Sequence, residues 1–139
     1  GAFAYGWGKP TPFDPYNLAN PRRDAAIISV AGPISNILLA ILGAFLIRLV
    51  PHQFSIFVLP LVTTNVALAV FNLIPVGPLD GQKILFGILP RDLAYEFQSI
   101  MSRYGTLLLI LLIFPLFGEA PINSIMTPAM NFLFRLLLP

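Results

Sequence analysis

The chain contains no cysteine. Disulfides, thiolate metal sites and a cysteine nucleophile are therefore excluded. Charge is scarce: 10% of the 139 residues are Asp, Glu, Lys or Arg, against roughly 25% in soluble domains. The eight basic residues are scattered rather than gathered into a stripe, so the electrostatic footprint of a nucleic-acid partner is missing. There is one histidine, His52. The chain also lacks internal repeats and low-complexity tracts, and no signal peptide is expected in it, because Gly1 opens it without Met and without a basic n-region. Such a start points to a polypeptide cut from something longer. What is plentiful is apolar surface: 57% of residues are hydrophobic and the mean hydropathy is +0.83. The composition predicts an all-α, polytopic membrane helical bundle of one domain, with lipid as its solvent.

Residues 1–24 read as a loop rich in Pro and Gly, because Pro10, Pro12, Pro15 and Pro21 interrupt any helix. Tyr5, Trp7 and Tyr16 suit a membrane interface. Asp24 is placed to cap the next helix. Residues 25–50 form a first apolar span, longer than the about 20 residues needed to cross a bilayer core. Pro33 predicts a kink in it, and Gly32, Ser35, Ala40, Gly43 and Ala44 allow close helix packing. Residues 54–74 form a second span. The helix then breaks at 75–81, where Pro75, Gly77, Pro78 and Gly81 cluster. Residues 82–103 read as an amphipathic segment at the interface, with Leu93, Phe97, Ile100 and Met101 at helical spacing. Residues 104–138 hold two further apolar spans, about four in all. If all four cross, Lys9, Arg22, Arg23, Lys83, Arg91, Arg103 and Arg135 fall on one side and Arg48 alone on the other. That bias predicts a cytoplasmic first side, and so places Asp80 near the cytoplasmic face of the inner membrane.

The chemistry concentrates at Asp80. An ionisable group at membrane depth is expensive and usually functional, and broken backbone there is tolerated where protein buries it or a wet cavity adjoins it. Asp80 is open between a metal ligand, a proton carrier and a plain helix N-cap. Asn36 and Asn72 are amides within apolar spans. Each is open between interhelical hydrogen bonding and donation to a substrate carbonyl or oxyanion. His52 is separated from Asp80 by a whole span, about 30 Å at ~1.5 Å per residue. It is read as an interfacial residue, and no Ser-His-Asp triad can form around it.

Three motifs in order carry a family resemblance. They are Gly6-Trp7-Gly8-Lys9-Pro10 with Pro12, Pro15 and Asn20-Pro21-Arg22-Arg23-Asp24; Ala31-Gly32-Pro33 with Asn36; and Asn72-x-x-Pro75-x-x-Pro78-Leu79-Asp80-Gly81. Together they resemble the site-2 protease family of intramembrane zinc metalloproteases over nearly all of residues 1–135. The resemblance implies that Asp80 is the third zinc ligand, beside two histidines of a His-Glu-x-x-His helix whose Glu activates water. It implies that Asn72 positions substrate or stabilises the transition state, and that Asn36 and the Gly32-Pro33 kink shape the cavity. The implied partner is a membrane protein cut in or near a transmembrane segment.

Two departures qualify this. Gly77 stands where the family often has Pro. More consequentially, this sequence has no His-Glu-x-x-His, which in the family precedes the loop where this chain begins. The 139 residues alone are therefore expected to be inactive, with activity residing in a longer parent. Competing readings are a transporter or channel subunit, on the broken helix and lone Asp, and a catalytically inactive pseudoprotease.

Overall fold

The computed structural model describes residues 20–116 and 118–138. The motif at Gly6–Pro10, the interfacial aromatics Tyr5, Trp7 and Tyr16, and Lys9 lie outside the described residues. Among the described residues five α-helices follow in order: α1 (Pro21–Leu49), α2 (Ser55–Leu73), α3 (Asp80–Ile88), α4 (Arg91–Ile113) and α5 (Asn123–Leu137). A 3-10 turn, His52–Phe54, joins α1 to α2. The described chain is helical with no strand, and α1, the turn with α2, and α4 are each long and apolar enough to cross a membrane. The protein is an all-α membrane bundle. The fourth apolar helix, α5, has 15 residues, about 22 Å at 1.5 Å per residue.

α1 begins at Pro21, four residues ahead of the expected span. Proline fits the first helical position because that N–H would be unpaired anyway and its φ is already helical. Asn20 takes the cap position, and Asp24 lies one turn inside the helix, its carboxylate accepting the Asn20 backbone N–H at 3.2 Å. Asp24 thus supports the first turn without being its cap. The helix continues through Pro33, which is buried; Ser35 Oγ donates to the Ala31 carbonyl at 2.7 Å in the adjoining turn.

α2 is the central element. Val62, Val66, Ala69 and Val70 are buried along it, a helical stripe at i, i+4, i+7 and i+8. On one side it meets the small residues Ala40 and Gly43 of α1. A Cβ on Gly43 would come within 2.8 Å of Val62 Cγ2, so the missing side chain is what lets the two backbones approach. On the other side, Met126, Ala129, Met130, Leu133 and Phe134 of α5 pack on the same core. Asn65 is buried but donates Nδ2 to the Leu61 carbonyl at 2.8 Å, so its donor is satisfied within its own helix.

α3 doubles back along the first half of α1. Its Gly87 is pressed against Ala26, and Arg22 Nη2 donates to the carbonyls of Leu89 at 2.7 Å and Gly87 at 3.4 Å. A cation thereby satisfies carbonyls that the end of α3 leaves unpaired. The helix stops because Pro90 holds the preceding residue extended; Leu89 has φ −60 and ψ 149.

From there the structure differs from the expected layout. The 82–103 segment is not one amphipathic stretch followed by a separate span at 104. The break falls at Leu89-Pro90, and α4 runs unbroken through Arg103-Tyr104-Gly105 to Ile113. Nothing in that tripeptide blocks a helix. Gly105 is buried against the backbone of Gly77, at 3.1 Å from an added Cβ to Cα, and so brings α4 close to the broken segment.

A second difference concerns direction. The Ile122 N–H donates to the Leu112 carbonyl at 2.9 Å, and Ile122 packs with Ile74 and Leu79. The end of α4 and the start of α5 therefore both lie at the broken end of α2. α5 then runs along α2 to its far end, where Arg48 Nη2 donates to the Leu137 carbonyl at 3.5 Å. Arg135 consequently sits at the Arg48 end, not with the other basic residues. Within the described residues the bias becomes Arg22, Arg23, Lys83 and Arg91 against Arg48 and Arg135, with Arg103 two positions before Gly105, at the height of Gly77.

Candidate metal centre

The broken segment is short and tightly folded. Ile74 turns extended at φ −63, ψ 125. Local backbone bonds then close the loop: Val76 N–H to the Ile74 carbonyl at 2.8 Å and Leu79 N–H to the Val76 carbonyl at 3.0 Å. The Gly77-Pro78 bond is cis. Ile74 and Leu79 are buried with Ile122, so the loop is clamped by its apolar residues, and two of its backbone N–H groups are paired within it. At its end, Gly81 lies directly against the carbonyls of Leu73 and Ile74. That contact folds the start of α3 onto the end of α2.

Asp80 is the first residue of α3. Leu79 holds the cap position, and no side-chain capping bond forms. The N-cap reading of Asp80 is therefore not what the structure shows, although a carboxylate in the first turn still favours the positive end of the helix dipole. The side chain is half-buried. It reaches α1 at Gly32, where an added Cβ would stand 3.2 Å from Oδ2. Gly32 is eleven positions beyond Pro21, about 16 Å along α1.

Of the other sequence candidates, Asn36 lies one turn beyond Gly32 on α1 and is half-buried, and Asn72 is half-buried in the last turn of α2. Asn72 adjoins Leu73, whose carbonyl Gly81 touches. His52 is exposed in the turn at the opposite end of α2, with the full helix between it and Asp80. Among the described residues no group of three or more His, Cys, Asp or Glu gathers to hold a metal. Asp80 is one oxygen donor with a glycine opposite, a cradle that a Cβ would fill. It fits one position of a metal site and cannot complete one. The contact with Gly32, and the Arg22 clamp on α3, were not evident in the sequence. The only local signal was a Gly-Pro pair inside a helix.

A carboxylate on a helical break inside an apolar bundle defines a membrane protein with a polar centre. The comparisons narrow this. The sequence profile described as Peptidase family M50 matches residues 49–112. The chain is 31% identical over 124 residues to "Putative zinc metalloprotease YwhC" of Bacillus subtilis (strain 168), covering 81% of this chain and 56% of that protein. The chain belongs to the site-2 protease family, M50. It spans about half the length of that curated relative. No solved structure matches it.

Proposed function

We propose that the full-length protein is an intramembrane zinc metalloendopeptidase that hydrolyses peptide bonds in or near transmembrane segments of other membrane proteins. In this reading Asp80 supplies the third zinc ligand, and two histidines and a catalytic Glu come from outside these 139 residues. Three protein ligands and an open position are what catalytic zinc requires. When bound, the metal supplies Lewis-acid chemistry, activating water and polarising the scissile carbonyl. Asp80 holds its oxygen toward Gly32, and the α2 end with Asn72 is folded against the start of α3. Asn72 orients the substrate carbonyl or donates to its developing oxyanion, and Asn36 contributes to the polar wall. The broken end of the bundle faces the cytoplasmic side of the inner membrane, on the remaining excess of basic residues at that end.

The observation that carries this reading is the half-buried Asp80 carboxylate placed beside a glycine partway along an apolar helix, together with family membership. Metal analysis of the purified full-length protein tests it. About one zinc per chain is expected, with cleavage of a transmembrane substrate lost on chelation and restored by zinc. A metal-free protein that still cleaves would overturn it.

A second expectation separates stability from function. Gly→Ala in a helix interior ordinarily stabilises by up to ~1 kcal/mol. In Gly32→Ala the methyl stands 3.2 Å from Asp80 Oδ2, so the carboxylate must give by a few tenths of an ångström. Misplacement by about 1 Å can cost about 100-fold in rate. Gly32→Ala is thus expected to melt no lower than the parent while cleaving several-fold more slowly. Unchanged turnover would remove Gly32 from the site.

A further inference from the structure

At the end of the bundle where α3 returns to the start of α1, three arginines surround one cavity. It has a volume of about 530 Å³ and is lined by Asn20, Pro21, Gly87, Tyr95 and the three arginines, Arg22, Arg23 and Arg91. No acidic side chain is among the lining residues described. Three like charges around one space repel, and an anion placed between them relieves that repulsion. Arg22 is held rigidly: Nη2 is bonded to the Leu89 and Gly87 carbonyls, and the guanidinium lies 5.7 Å from the centre of the Phe86 ring. Its Nη1 is buried and has no hydrogen-bond partner among the described residues. An unpaired, buried guanidinium nitrogen costs free energy that an acceptor would recover.

A second cavity, of about 420 Å³, shares Pro21, Arg22 and Tyr95 with the first. Ala25, Phe86, Lys83 and Gln98 complete its lining, and most of its wall is apolar. The two cavities together offer a cationic seat for a phosphate and an adjoining apolar surface for hydrocarbon. Free phosphate would have no use for the second. Basic pockets between membrane helices on the cytoplasmic side suit anionic headgroups, and a tyrosine with a wet edge suits that depth.

We propose that this double cavity binds an anionic phospholipid, with the headgroup phosphate between Arg22, Arg23 and Arg91 and part of an acyl chain along Phe86 and Ala25. The site is separate from Asp80 and does not depend on zinc.

The test is native mass spectrometry of the full-length protein equilibrated with vesicles of mixed phosphatidylglycerol and phosphatidylcholine. Arg23→Gln/Arg91→Gln is compared with the parent and with Arg48→Gln/Arg135→Gln at the opposite end. Both arginines of the first pair are exposed, so the fold is retained; Arg22 is left in place because it holds α3. Retention of phosphatidylglycerol is expected to fall about thirty-fold in the first pair, from about 1 kcal/mol per arginine at an anionic surface, and to hold in the second. Equal retention in all three proteins would overturn the site. So would equal retention of phosphatidylcholine by the parent. Full displacement of phosphatidylglycerol by millimolar inorganic phosphate would overturn the lipid, as would its displacement by an acidic peptide.

Discussion

Asp80→Asn in the full-length protein is expected to lose zinc and cleavage while keeping the bundle. The substitution preserves the shape facing Gly32, so the 3.2 Å geometry is undisturbed. It removes the negative charge that makes a carboxylate a zinc ligand and leaves a neutral amide. Disturbing a partner outside the ligand shell already costs about 10- to 100-fold in metal affinity or activity. Removing a ligand is expected to cost more, so cleavage should fall by at least about 100-fold, with zinc per chain falling in parallel. The fold should not suffer, because an amide is cheaper than a carboxylate at membrane depth. Zinc content, cleavage rate and melting temperature of the same preparation decide the matter. Full zinc with full activity would sink the ligand assignment. A collapse in melting temperature would show instead that Asp80 is structural.

The largest expected effect on stability is at the next residue. Gly81→Ala would ordinarily strengthen a helix. Here Gly81 is buried and its missing Cβ is occupied by the carbonyls of Leu73 and Ile74. Backbone atoms at the end of α2 cannot swing aside as a side-chain tip can. Overpacking typically costs about 1–3 kcal/mol, and a clash with backbone on two carbonyls belongs at or beyond the top of that range. Gly81→Ala is expected to lower the melting temperature sharply and reduce the amount recovered from membranes. Since Gly81 sets how α3 meets α2, surviving protein should also bind zinc poorly. A melting temperature equal to the parent's would show that the loop relaxes freely.

These two neighbours differ in how visible they were. Asp80 stood out because its cost in an apolar chain is local and written in the residue itself. The helical class, the apolar spans and the break at 75–81 were visible for the same reason: hydropathy, proline and glycine act where they stand. Pro21 was misread as an interruption because proline's meaning depends on whether a helix is starting or continuing. The change from amphipathic to apolar near Tyr104 marked a change of environment, and the real stop was Leu89-Pro90. The direction of α5 could not be read at all. It is fixed by Ile122 packing with Ile74 and Leu79 and by Leu137 reaching Arg48, contacts between residues far apart in the chain. The opposition of Gly32 and Asp80 is hidden for that same reason.

The Arg22 clamp sets the height of the carboxylate. From Arg22 to Gly32 is ten positions along α1, and from Asp80 to Leu89 is nine along α3. The two segments are matched rulers, bonded at one end by the guanidinium and set side by side at the other, where the Asp80 carboxylate lies beside Gly32. How deep the acidic oxygen sits is thus measured in peptide units and not in acyl-chain thickness. A thinner or thicker bilayer would slide past both helices together and leave their internal alignment untouched.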